Sequence, residues 1–150
     1  MEHFNHSIYE EVFMNIKELR EKNGKNCIGQ VLQVIDNTTL LFSYYCFLHV
    51  GDTIAIYEPC DPIKDIDGTV IDHYEFIKDK LEIIDVSDKY CVAQKKEYTT
   101  KTASFATAIS PILEKRELIP LNVDASIIKP ITIKNKKIQI GDPVKKISSN

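Results

Sequence analysis

The sequence predicts an α+β domain that is mainly β: a small barrel or strongly bent antiparallel sheet, with an N-terminal amphipathic helix and a C-terminal hairpin. Three observations predict it. Apolar residues recur at helical spacing near the start, at Ile8, Val12, Ile16 and Leu19. After Gly24 the pattern changes to short runs rich in branched and aromatic residues. Turn signals separate those runs, among them Asp36-Asn37, Gly51-Asp52, Asp67-Gly68 and Gly141-Asp142.

The helix spans 7–23. Tyr9 and Phe13 widen its apolar stripe. Ser7 and Glu10 form a capping box, in which hydroxyl and carboxylate each satisfy an orphan backbone donor. Lys17, Arg20 and Lys22 suit the negative end of the dipole, and Asn23-Gly24 supplies a left-handed stop.

A barrel-like core follows over 26–96. Ile28 to Ile35 reads as a strand. Leu40 to Val50 reads as a longer, central strand with apolar groups on both faces. Thr53 to Tyr57 is another strand. The segment Glu58 to Gly68, with two prolines and Asp67-Gly68, reads as a loop or long hairpin. Strand character returns at Val70 to Ile77, Leu81 to Val86 and Tyr90 to Ala93, the last two joined by a tight turn at Ser87-Asp88-Lys89.

Residues 98–109 are small and polar, as in a connector. Ser110-Pro111 opens a short helix through Leu118. Ile127 to Ile133 and Lys137 to Ile140 form a hairpin pattern around Asn135-Lys136. Short strand character ends the chain at Val144 to Ile147. The segments His49 to Ile54 and Gln139 to Val144 share an apolar residue, Gly-Asp, and a branched residue two positions on. We read this echo as a shared turn, too short for a repeat.

The 150 residues suit one domain, 1–150, and 43% of them are hydrophobic, enough for a core without disulfides or metal. A net charge of -3 argues against a dedicated nucleic-acid binder. The charge is uneven: residues 129–150 carry six lysines and one acid, a net of +5, against -8 for the rest. Such a tail either seeks an acidic partner or packs near the acidic body of its own chain, and we prefer the second.

Four cysteines at irregular spacing, three of them in apolar runs, read as free thiols. With no leader-like start, this points to a cytoplasmic chain. No run approaches the 18 or so apolar residues of a membrane span, so no membrane association is expected.

The order of features over 26–96 resembles the C-terminal β-barrel domain of flagellar assembly protein T and related bacterial proteins. The residues that carry the likeness are the strand Ile28 to Ile35, the turn and strand Val50 to Tyr57, the proline-rich loop Asp61 to Gly68, and the strand pair Leu81 to Ala93. The resemblance implies a small barrel of the non-catalytic, assembly-mediating kind. Residues 98–150 lie outside it, and no flagellar role is carried over.

No catalytic, metal-binding or cofactor motif is expected. Aligned as a calcium loop, Asp65, Asp67 and Gly68 put Ile63 at the first ligand position and Tyr74 at the last, so the aspartates read as turn formers. His3 and His6 are two weak ligands near a chain end, and His49 and His73 read as surface or satisfied histidines. A nucleophile elbow and a glycine-rich phosphate loop are both missing.

Two features bear on binding. Tyr44-Tyr45-Cys46-Phe47 would put large rings on both faces of one strand, one face for the core and one for a partner. Lys134, Lys136, Lys137, Lys145 and Lys146 form a basic patch without interleaved aromatics or arginines. We read the patch as a lysine-decorated edge before a phosphate-tracking surface.

The expected function is a non-enzymatic binding or assembly module acting through protein-protein contacts, with a protein partner or a second copy. Tyr44, Tyr45, Lys134, Lys136 and Lys137 are its candidate binding residues. One alternative is an enzyme whose site is assembled from distant residues, with His73 or His49 beside a cysteine or aspartates. The other is a binder of nucleic acid or an acidic partner through the C-terminal lysines.

Overall fold

The computed structural model describes residues 16–96 and 117–147. The chain divides into two compact units, residues 1–96 with 131–150, and residues 97–130. In the first unit, residues 16–23 are helical (α1). Gly24 stops the helix as its position predicts: its φ is 103°, and its N–H bonds to the Arg20 carbonyl at 2.9 Å. The capping box and most of the apolar stripe lie outside the described residues.

Six strands follow: β1 (Cys27–Val34), β2 (Thr39–Ser43), β3 (Thr53–Lys64), β4 (Val70–Val86), β5 (Tyr90–Gln94) and β6 (Pro143–Ile147). They close a barrel in the order β1-β2-β5-β4-β3-β6, with every pair antiparallel. The mainly β, α+β class is therefore correct. Alternation fills the interior, with Leu40 and Phe42 from β2, Ile54 and Ile56 from β3, Leu81 and Ile83 from β4, Cys91 and Ala93 from β5, and Val144 from β6. Each large side chain so buried contributes roughly 1.5–3 kcal/mol. The C-terminal β6 completes the ring by lying between β1 and β3.

The Gly-Asp echo is a pair of equivalent turns. One leads into β3, the other into β6. Gly51 and Gly141 have φ of 96° and 89°. Asp52 accepts the His49 N–H at 2.9 Å, and Asp142 accepts the Gln139 N–H at 2.7 Å. Each turn is pinned to a neighbouring strand by two backbone bonds, to Ile83 in one case and to Val31 in the other.

Three expectations are corrected and one is narrowed. The strand expected over Leu40 to Val50 ends at Ser43. There the chain crosses Gly29 so closely that a Cβ on Gly29 would lie 1.6 Å from the Ser43 carbonyl oxygen. It then leaves the ladder but stays on the barrel, with Tyr44, Cys46 and Leu48 against the core and Phe47 and Val50 exposed. Second, of the loop and the long hairpin open for Glu58 to Gly68, the hairpin forms, since β3 runs through Pro59 and Pro62 to Lys64 and pairs with β4. Prolines are tolerated at strand edges and bulges, and the register shifts between Pro59 and Pro62.

Third, the two strands expected over Val70 to Ile77 and Leu81 to Val86 are one, β4, carried through Lys78. Fourth, no hairpin forms over Ile127 to Ile140. Its backbone donors bond to side chains instead of a ladder: Glu58 takes the N–H groups of Lys134 and Asn135, and Asn135 takes that of Lys137.

In the second unit, residues 117–130 carry one 3₁₀ turn, Ala125–Ile127, opened by the Asp124 carboxylate accepting the Ser126 N–H at 3.1 Å. The connector at 98–109 and the start of the short helix from Ser110 lie outside the described residues, and residues 117–118 are not helical. Among the described residues, no helix is long and apolar enough to cross a membrane.

Candidate functional site

β3 and β4 outrun their barrel neighbours. β6 pairs with β3 only over Thr53–Ile56, and β5 pairs with β4 only from Glu82 to Val86. Beyond those limits the two strands pair with each other, to Lys64 opposite Val70. The result is a two-stranded arm.

Its tip is a turn held by its own aspartates. Asp65 N–H bonds the Thr69 carbonyl at 2.8 Å, Asp67 accepts the Thr69 N–H at 2.9 Å, and Gly68 takes a φ of 91°. The turn reading of this acidic segment is therefore correct. No group of three or more metal-ligating side chains occurs among the described residues.

The arm carries exposed apolar side chains: Ile63, Ile66, Val70, Ile71 and Tyr74, with Ile66 fully exposed at the tip. Ile63 stands opposite Asp72. Strand alternation therefore puts Ile63 and Tyr74 on one face of the ribbon.

The free edge of β4 is blunted. His73 N–H is taken by the Asp72 carboxylate at 2.7 Å, and Lys80 N–H by that of Asp79 at 3.0 Å. A register shift near Lys78 further interrupts the edge. The arm thus presents side chains rather than an open strand edge.

The root of the arm is braced by the segment before β6. Glu58 is buried, and its two carboxylate oxygens accept the N–H groups of Lys134 at 2.8 Å and Asn135 at 3.0 Å. Burial pushes this carboxyl up, but those two donors together with the Cys60 thiol and the Lys78 charge outweigh it and hold it below its ordinary value. Lys78 donates to the Lys137 carbonyl at 2.9 Å and to Asp142 at 2.8 Å.

Lys134, Lys136 and Lys137 are exposed on this braced segment. The rest of the basic patch is engaged elsewhere. Lys145 pairs with Glu75 at 2.9 Å and lies over the Tyr57 ring, and Lys146 pairs with Asp52 at 3.6 Å.

Tyr44 and Tyr45 do not lie on a strand. Both follow the end of β2 and are partly buried. Tyr44 packs against the core cluster and its hydroxyl donates to the Ser87 carbonyl. Tyr45 N–H bonds the Ile28 carbonyl at 2.9 Å. The expectation of rings on both faces of one strand is corrected on this point; the exposed ring of the group is Phe47.

A cleft of about 350 Å³ lies between the end of α1 and the arm, lined along the arm by Pro59, Glu75 and Val70 to His73. Asn23 lines it, 5% exposed, and its Nδ2 has no hydrogen-bond partner among the described residues. The Asn23 carbonyl accepts from the buried Tyr57 hydroxyl at 2.8 Å. His73 shares the lining with Asp72 and Glu75, and among the described residues no serine, threonine, cysteine or tyrosine joins them. His49 is on the surface, 3.9 Å from Asp52. Cys91 is fully buried, which pushes its thiol up to about 11, the opposite of an activated nucleophile.

Sequence reasoning passed over both the arm and the cleft. The prolines left a loop and a long hairpin both open, with no exposed arm expected, and Asn23 read only as a helix stop. The spacing of Ile63, Ile66, Val70 and Ile71 around a turn was the usable signal. No family model, curated protein or solved structure matches the chain.

Proposed function

We propose that this chain is a non-enzymatic module that works through protein-protein contacts, with the β3–β4 arm as its contact surface. The observation that carries the reading is the length of the arm beyond the barrel, together with its exposed Ile63, Ile66, Val70, Ile71 and Tyr74. Exposed apolar side chains gathered on one braced element mark interaction sites. Rigid presentation lowers the entropy cost of binding. The resemblance of residues 26–96 to an assembly-mediating barrel supports the same reading. The four cysteines are free, which supports a cytoplasmic setting.

The test is affinity capture from the source cell lysate by the wild-type protein and by the double variant Ile66→Asp with Tyr74→Lys, both checked for fold by circular dichroism. A stoichiometric protein captured by the wild type and lost from the variant supports the reading. Capture that ignores the arm, or no capture, contradicts it.

A further inference from the structure

We infer that the arm docks on the arm of a second copy of this chain, antiparallel across a two-fold axis, with the tip of each on the root of the other. The inference rests on the proposed protein-binding role of the arm and names the partner. Charge divides the arm in two. At the tip, from Lys64 to Asp72, three exposed aspartates (Asp65, Asp67 and Asp72) stand against Lys64. At the root, where the segment before β6 bonds to Glu58, three exposed lysines (Lys134, Lys136 and Lys137) stand against Asp61, which bonds the same segment at Thr132. The two ends are mirror images in charge.

These charges do not satisfy each other within one copy. From the Glu58–Phe76 pair to the Lys64–Val70 pair the arm spans roughly 20 Å. That is about twice the distance over which physiological salt screens exposed charges. Among the described residues none of these tip and root side chains enters an ion pair, whereas Glu75, Asp79 and Asp142, nearer the barrel, are all paired. Two arms laid parallel would set tip on tip and root on root, like charge on like. Laid antiparallel, they set opposite charges together at both ends, and the two-fold axis makes each contact twice.

The same axis brings like apolar faces together. Ile63 and Tyr74 share a face of the ribbon, both are exposed, and each would be covered by its counterparts. Strand addition is not the mode. The His73 N–H on one edge is already taken by Asp72, and the other edge carries Pro59 and Pro62. A ribbon of this length, two strands wide, buries on the order of 200–400 Å² per copy, below the roughly 800 Å² of a standard interface. The dimer is therefore a reversible one, of about micromolar strength or weaker.

The experiment is sedimentation equilibrium of the purified full-length protein from about 5 μM to about 1 mM, a range that brackets that strength, in low and in high salt. The wild type should rise from 17.2 kDa toward twice that mass with concentration, and less so in high salt. Asp65→Lys with Asp72→Lys reverses the tip and leaves the Asp67 bond of the turn in place. Lys136→Glu with Lys137→Glu reverses the root. Each variant alone should dimerise at least about tenfold more weakly than the wild type in low salt. An equimolar mixture of the two should return to within about threefold of the wild type, because each tip again meets an opposite root. That recovery also shows that both variants fold. A wild type that stays monomeric throughout overturns the inference, as does a dimer indifferent to both reversals or a mixture that does not recover. A monomer whose arm still captures a different protein overturns the second copy alone. A dimer and a capture that both ignore Ile66→Asp with Tyr74→Lys overturn the arm reading as well.

Discussion

Lys78 Nζ lies 2.8 Å from Asp142 Oδ2, with the lysine side chain 1% exposed. The equivalent aspartate of the other Gly-Asp turn, Asp52, pairs at 3.6 Å with Lys146, whose side chain is 41% exposed. The two turns share their backbone bonds and differ in the burial of the cation. Removing the partner of a buried charge costs roughly 3–5 kcal/mol, whereas an exposed pair contributes about 0–1 kcal/mol. Asp142→Ala should therefore destabilise the protein by several times as much as Asp52→Ala in urea unfolding. Equal losses would mean that the turn bonds, and not the ion pair, set the cost.

Gly29 is the position least tolerant of a side chain. A Cβ there would meet the Ser43 carbonyl oxygen at 1.6 Å and its carbon at 2.6 Å, both backbone atoms that cannot rotate away. Gly29→Ala must separate β1 from the end of β2. We expect a loss of at least about 3 kcal/mol or failure to fold, in the range of severe core disruption. Gly68→Ala provides the contrast. Its Cβ meets nothing, and only the positive φ is strained, for a cost of about 1 kcal/mol. Thermal unfolding of the two variants separates the effects.

Glu58 links the arm to the segment that carries Lys134, Lys136 and Lys137, and its carboxyl is held below the ordinary 4.5. The sign follows. A group whose folded pKa is depressed contributes stability above its unfolded pKa and loses it as pH falls through the folded value. Glu58→Gln keeps one acceptor oxygen and loses the charge, so at pH 7 it should be less stable than the wild type by about 1–3 kcal/mol. That gap should shrink as pH falls through the depressed folded pKa, where the wild-type carboxyl takes up its proton. Urea unfolding at pH 7 and at pH 3 measures it, and a gap independent of pH would contradict the account.

Much of the barrel was legible in the sequence because its signals are local. Asn23-Gly24 ends α1, and Gly51-Asp52 and Gly141-Asp142 lead into strands, as expected of residues that adopt positive φ or bond their own backbone. The illegible parts depend on partners distant in sequence. Ser43 ends β2 because Gly29 allows its carbonyl close. Ile127 to Ile140 alternates like a hairpin, but a carboxylate 76 residues away takes the Lys134 N–H that a ladder would need. Pro59 and Pro62 left a loop and a long hairpin equally open to a local rule, and they sit in β3 next to a bulge. Tyr44 and Tyr45 carried an interface reading that depended on a strand continuing past Ser43.

The central claim is that the arm is the contact surface for a protein partner. It is tested most directly by photo-crosslinking in the source cells, with a benzoylphenylalanine placed at Ile66, at the arm tip, or at Phe47, which is exposed away from the strands. The account predicts one discrete crosslinked protein from position 66 and none shared by position 47. Crosslinks at 47 alone, or the same set from both positions, would contradict it.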